Sequence, residues 1–392
     1  MVNTFENVCM VGDNIYFFSY EVNALFMIDM AANSCEYIGS LKKYDNKIRL
    51  FGDLVYANGK LILVPTSADD FVIYNLEEKT EKYIPIRECI REYYTECKFF
   101  AAIPLGADIY FIGCHYPAIV KLNLITEEVT YYTDWLEEIG EKEQAFFRHD
   151  YCIENDTILL ACSWTNKVMA FDVKNEKCSF FEVGSKERKY AGITYDGEYY
   201  WLTPFQDNII VRWNRKSRNY EEIVIQDGQK PTQEGLSYAQ SFMIGQYIII
   251  LPLYAFPVCI IDAKTGTVKT IDPKWVVKKS YIPIAPIKGG FVYKDSLYVI
   301  NSLDGKVYFL DVDKMCFYNM SLDFLTPLKK FMADKKTENK WRVRFDNIVM
   351  EDTETDLDIL LRAIQEDMSR QTKEKTMPEN TVGKNLYIQL RR

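Results

Sequence analysis

Seven times along the chain, a short apolar run ends in Asp or Asn and passes into a polar turn. The runs occupy 24–29, 70–75, 118–123, 167–172, 209–214, 257–262 and 306–311. Their terminal residues, Asp29, Asn75, Asn123, Asp172, Asn214, Asp262 and Asp311, lie 46, 48, 49, 42, 48 and 49 residues apart. Further strand-like runs flank each one. In the first unit the pattern predicts strand a over 7–11, b over 15–19, c over 24–29 and d over 35–38, with Gly12-Asp13-Asn14 as the a–b turn. Comparable turns recur at Asn58-Gly59, Ala107-Asp108, Asn155-Asp156, Asp196-Gly197 and Lys294-Asp295. Asn/Asp-Gly pairs tolerate the positive φ that hairpin turns require. A period of this length, made of short strands, marks a β-propeller blade. The predicted fold class is all-β: a seven-bladed β-propeller over residues 1–322, the ring itself spanning 5–322, with a C-terminal extension over 323–392.

The connections are unequal. In an up-and-down blade the a–b and c–d turns fall on one face of the ring, the b–c turns and d–a links on the other. Here the first set is short and stereotyped. The d–a links are long and varied, at 40–47, 87–96, 133–144, 226–235 and 272–282. Function concentrates on variable loops carried by a rigid scaffold, so the b–c/d–a face is the expected binding face. After Leu322 the repeat stops. Residues 323–332 read as a short helix and 341–350 alternate as a strand. Leu357, Leu360, Leu361, Ile364 and Met368 share one face of a further helix, whose N-terminus the acids at 351–356 suit.

Ile260-Ile261-Asp262-Ala263-Lys264-Thr265-Gly266-Thr267-Val268 resembles the strand–turn–strand consensus of YVTN/PQQ-like propellers. The resemblance extends around the whole ring at the level of the repeat, and it implies architecture without activity. The tryptophan docking pattern of PQQ propellers is absent, since Trp164, Trp201, Trp213 and Trp275 occupy unrelated blade positions. No Gly-His…Trp-Asp pairs point to WD40, and no Gly-Gly with a downstream Tyr/Trp points to kelch.

Composition narrows the partners. A net charge of −9 argues against a nucleic-acid groove, which needs clustered Lys and Arg. No apolar run approaches the ~18 residues of a membrane span, and residues 1–7 show no basic leader or long apolar segment. The ten cysteines include no CxxC and several lie inside predicted strands, which predicts reduced thiols and a cytoplasmic protein. No cofactor or metal is expected: HxH, HExxH, Walker, GxGxxG and GxSxG motifs are missing, and 351–358 lacks the Gly and bidentate Glu of a calcium loop.

Candidate chemistry gathers at the channel mouth of the loop-rich face. His115 follows strand b of blade 3 and His149 enters strand a of blade 4, so adjacent blades carry both; either could transfer a proton if the protein is an enzyme. The ligand-binding candidates are Tyr20, Arg49, Tyr116, Arg148, Trp164, Asn166, Tyr190, Phe205, Gln206, Gln240 and Tyr254. They mix aromatic platforms, amides and a few charges, a lining suited to a peptide, a glycan or a polar metabolite. Arg148 would hold an anionic group, with Trp164 and Phe205 stacking on the ligand. The Asp/Asn ending every strand c is read as a turn residue, because its recurrence in each blade serves the backbone. Two functions stay open: a binding or scaffolding propeller, with a protein partner among the candidates, and a propeller enzyme of lyase, hydrolase or cyclase type.

Overall fold

The computed structural model describes residues 8–331 apart from 20–22, 45–49, 89–96, 141–144, 226–237, 254–256, 272–286, 302–305, 324–325 and 328. Seven antiparallel sheets of four strands form the ring, each from strands consecutive in sequence. The blades span 9–40, 51–85, 99–132, 152–182, 190–224, 238–271 and 287–320. Strand a of one blade touches strand a of the next, as at blades 2 and 3, 5 and 6, and 6 and 7, which puts these strands innermost.

The burial pattern follows from this stacking. Strands b and c are covered on both faces by neighbouring blades, so they are apolar almost continuously; Leu61 to Val64 and Ile248 to Leu251 are all buried. Strand d lies at the outer edge and alternates, as in Thr80–Pro85 and Lys177–Glu182. Blades diverge outward from the axis, and bulky rings fill the wedge between them. Phe71, Phe99 and Phe111 do so between blades 2 and 3, with centroids 4.2 Å apart for Phe71 and Phe111. Burying each such side chain stabilises by about 1.5–3 kcal/mol.

The c–d turns repeat in atomic detail. The side-chain oxygen closing strand c accepts amide hydrogen bonds from the turn: Asp29 from Ala31 and Ala32, Asn123 from Ile125 and Thr126, Asp172 from Lys174 and Asn175, Asp262 from Lys264 and Thr265. Asn75, Asn214 and Asp311 do likewise. Four residues beyond each of the seven stands a residue of positive φ: Asn33, Lys79, Glu127, Glu176, Arg218, Gly266 and Met315. The strand-c carboxylates are turn caps, as their recurrence predicted.

Among the described residues blade 7 meets blade 1 through side chains, with no strand exchanged between the two sheets. Tyr293 donates to Asp13 at 2.6 Å, Lys294 pairs with Asp13 at 3.2 Å, and Asn33 donates to the Ser321 carbonyl at 2.9 Å. The link after blade 3 holds a one-turn helix, Leu136–Ile139, where only loop was expected. Residues 326, 327 and 329–331 are helical and Asp323 accepts from the Thr326 amide, in line with the short helix expected at 323–332. The strand expected at 341–350 and the helix over 357–368 lie outside the described residues. Cys9, Cys35, Cys152, Cys162, Cys178, Cys259 and Cys316 are free thiols.

Candidate functional site at the channel mouth

In blades 2 to 5 the approach to the innermost strand is laced into its neighbourhood at the b–c/d–a face. The b–c turn donates amides to the residue just before strand a in blades 2, 3 and 5, Thr66 and Ser67 to Leu50, Cys114 to Lys98 and Phe205 to Lys189, and in blade 4 Ser163 donates to Phe146, six residues ahead of the strand. The strand-a entrance in turn donates to the preceding blade, Lys98 to Thr66, Phe146 to Cys114 and Tyr190 to Cys162. The mouth is therefore a rigid collar.

Just inside the collar strand a is irregular. The a–b ladder shifts register at Phe51/Asp53, Phe99/Ala101, Tyr190/Gly192, Tyr238/Gln240 and Ile287/Gly290. Such bulges re-aim side chains and gather next to functional sites. The residues bypassed in blades 2, 5 and 6 are Gly52, Ala191 and Ala239, and in blade 3 Phe100. Blade 4 goes further. Its innermost strand is only Cys152–Glu154, so Phe147, Arg148, His149, Asp150 and Tyr151 precede the ladder altogether.

Of these, Phe147 packs on Trp135 between blades 3 and 4, while Arg148, Asp150 and Tyr151 reach toward Phe205 of blade 5, Ser241 of blade 6 and Asp53 of blade 2, which puts them toward the ring centre. The Arg148 guanidinium sits 5.4 Å from the Phe100 ring and 5.2 Å from the Phe205 ring, with its buried Nε lacking a hydrogen-bond partner. His149 stacks on Phe100 at 4.4 Å, and its Nδ1 lies 3.0 Å from the Phe100 carbonyl oxygen. A carbonyl can only accept, so Nδ1 carries the proton and Nε2 keeps a lone pair. Burial, with the Arg148 cation beside it, holds the His149 pKa down to about 4.

Asp150 reaches across blade 5 to blade 6, where its Oδ2 accepts from the Ser241 amide at 2.8 Å and the Ser241 hydroxyl at 3.0 Å. Gly192 makes the crossing feasible: a Cβ there would lie 2.8 Å from both Cβ and Cγ of Asp150. Burial pushes the Asp150 carboxyl up to about 7, against the lowering effect of the Ser241 bonds. Thr194 hydrogen-bonds Ser241 in turn. Tyr151 is raised to about 12 by burial, with the charges of Asp53 on blade 2 and Asp150 adding to it. Cys9 and Cys152 are likewise pushed up to about 12 by burial, so neither is a thiolate nucleophile near neutral pH.

The structure sorts the candidates read from sequence. Arg148, His149 and Phe205 come together at the mouth. His115 and His149 flank one small cluster, Phe100, Cys114 and Ala145, but face different groups: His115 Nδ1 is 3.3 Å from the Cys97 oxygen and 3.3 Å from the Cys114 sulfur. Gln240 lies on the inner wall, accepting from the Gly290 amide at 3.0 Å. Gln206 is exposed beside Phe205. Trp164, expected as a stacking platform, is 6% exposed and packs on Phe146 between blades 3 and 4. Tyr116 donates to the Arg87 carbonyl at 2.7 Å and Tyr190 to that of Val183 at 2.5 Å, both from within the core. Asn166 ties its turn to the Gly184 carbonyl at 3.2 Å. These four residues sit at the right strand ends, but the wedge between blades draws large side chains inward. Tyr20, Arg49 and Tyr254 lie outside the described residues.

Sequence reasoning did not single out Asp150 or Phe100. Their partners stand one and two blades away, and only Gly192, a glycine within a strand, hinted at a close approach. Among the described residues no group of three or more His, Cys, Asp or Glu is placed to hold a metal ion, and no helix is long and apolar enough to cross a membrane.

No family model matches the sequence, and no curated protein matches it. Solved structures do resemble it. Virginiamycin B lyase from Staphylococcus aureus is 12% identical with a TM-score of 0.58, over 77% of this chain and 92% of that one. BamB from Moraxella catarrhalis is 12% identical at 0.50, over 78% and 82%. Kuenenia stuttgartiensis hydrazine synthase is 12% identical at 0.54, over 79% and 96%. At such identity the likeness is one of fold.

Proposed function

We propose that this propeller binds a small polar ligand, such as a metabolite, a sugar unit or a peptide end, at the channel mouth of its b–c/d–a face. One observation carries the reading: blade 4 leaves its ladder at 147–151 and sets four polar or ionisable side chains, Arg148 to Tyr151, at the ring centre. At the strand-a bulge, blades 2, 5 and 6 carry the small residues Gly52, Ala191 and Ala239. Phe100 and Phe205 supply apolar faces, while Arg148 and His149 supply a few directed polar groups, the usual make-up of a ligand site. A thermal-shift screen with metabolites, sugars and peptides tests this, because a ligand that binds only the folded state raises its stability. The expected hit loses its shift in Phe205→Ala and His149→Gln and keeps it in Glu127→Gln on the opposite face. Hits indifferent to the mouth variants would contradict the reading.

The enzyme reading draws on a different observation. Asp150 is raised to about 7 and His149 lowered to about 4, which inverts their usual order. Between those values both are neutral, so Asp150 can donate a proton and His149 Nε2 can accept one. Two of the similar folds carry the names of enzymes, a lyase and a synthase, and at 12% identity that bears on the fold alone. Mass spectrometry of each hit decides: conversion lost in Asp150→Asn, with binding retained, supports catalysis, and a ligand recovered unchanged supports binding alone.

A further inference from the structure

We infer that Arg148 is an anion-binding residue of the channel mouth, taking a carboxylate or phosphate group of the ligand between the rings of Phe100 and Phe205. This deepens the proposed function and rests on it. The other half-buried arginines are held by carboxylates. Arg188 pairs with Asp207 at 2.7 Å and Glu222 at 3.2 Å. Arg215 pairs with Glu154, and Arg212 faces Glu221 at 3.9 Å. The neighbouring cation at the collar, Lys98, is satisfied by the Ala68 carbonyl at 2.8 Å and Asp69 at 3.2 Å. Arg148 has no carboxylate within reach among the described residues, which sets it apart, and its buried Nε, like that of Arg212, makes no hydrogen bond.

The nearest acid in sequence does not serve it. Asp150 is turned across Gly192 onto Ser241, and the hydrogen bonds it accepts come from there. His149 adds no negative charge and donates its Nδ1 proton to a backbone carbonyl. A guanidinium held by two aromatic faces is oriented but not neutralised, because ring quadrupoles are weak partners next to a carboxylate or phosphate. Leaving a partly buried charged donor unpaired is costly, and an incoming planar or tetrahedral anion relieves that cost through bidentate hydrogen bonds. With Asp150 largely protonated up to about pH 7 and His149 neutral, the mouth carries a local positive charge inside a protein of net charge −9. Burial of the guanidinium between rings also favours a compact head group over an extended polyanion.

The test uses the full chain with two probes, inorganic phosphate and succinate, titrated by thermal shift and calorimetry against NaCl of matched ionic strength. Wild type is expected to be stabilised by at least one probe beyond the NaCl control, with the preferred probe telling phosphate from carboxylate. Arg148→Met should weaken that probe at least tenfold, and Arg148→Lys should keep part of the affinity. Circular dichroism confirms that each variant is folded, and Phe205→Ala, which loosens the clamp while keeping the charge, gives a second reading if Arg148→Met does not fold. No stabilisation by either probe, or equal stabilisation in Arg148→Met, overturns the proposal. No stabilisation by either probe, beside a neutral library hit that is lost in His149→Gln, overturns the anion site alone and leaves the channel-mouth reading intact.

Discussion

The two faces of the ring use the same seven repeats and treat them differently. On the a–b/c–d face the repeat is kept down to single atoms: an Asp or Asn closes each strand c, caps the turn and is followed four residues later by positive φ. On the other face the repeat breaks at blade 4, where Arg148 to Tyr151 stand outside any ladder. Carboxylates on the first face accept backbone amides, and the turn amides hold Asp172 and Asp262 below the usual range. The carboxylate on the second face, Asp150, is buried and pushed up to about 7. One residue type thus serves folding where it recurs and is available for chemistry where it does not.

The largest effect that can break this comparison comes from glycine at the mouth. In Gly113→Ala the new Cβ would lie 2.5 Å from the Ala118 carbonyl oxygen and closer still to that of Tyr116, so backbone must move. We expect a loss of about 3 kcal/mol or more, read by urea unfolding. Gly192→Ala displaces Asp150 from Ser241 and should cost about 1–3 kcal/mol through the clash and the orphaned Ser241 amide. If Gly192→Ala is neutral, the Asp150 bridge is not what holds this wall.

The pH dependence is a finer test. Asp150 has its pKa raised in the folded state, so between about 4 and 7 the fold holds a proton that the unfolded chain has released, and stability falls as pH rises. His149 has its pKa lowered to about 4, so between about 4 and 6.5 the unfolded chain binds the extra proton and stability rises with pH. In the wild type the two slopes oppose. Asp150→Asn should therefore steepen the rise relative to wild type, and His149→Gln should expose a fall, each by up to about 1.4 kcal/mol per pH unit. Parallel wild-type and variant profiles would show that neither group is perturbed.

The smallest effects belong to the repetitive face. Met315 and Lys79 hold positive φ without being glycine, so Met315→Gly and Lys79→Gly should each stabilise by roughly 0.5–1 kcal/mol, while Gly266→Ala should cost about 1 kcal/mol. Equal and opposite outcomes at these equivalent positions would confirm that the turn repeats as one unit.

The fold was legible because blades repeat. Strand c ended in Asp or Asn every time, and the turn chemistry left little alternative. The mouth was legible in part. Arg148, His149 and Phe205 were found from their place at strand ends, since a turn has no need of a cation or a phenyl ring there. Trp164, Tyr116 and Tyr190 shared that placement but turned into the wedge between blades, a direction that sequence spacing does not encode. Asp150 was hidden for the converse reason: its role depends on Gly192 and Ser241, about 40 and 90 residues further along the chain.

The most direct measurement is the crystal structure of the protein with the strongest thermal-shift hit bound. Ligand density is expected between Phe100 and Phe205, in contact with Arg148 and over the Gly192 side of the mouth. Density confined to the a–b/c–d face, or to the outer groove of about 600 Å³ lined by Tyr132, Asp134 and Phe180, would contradict it.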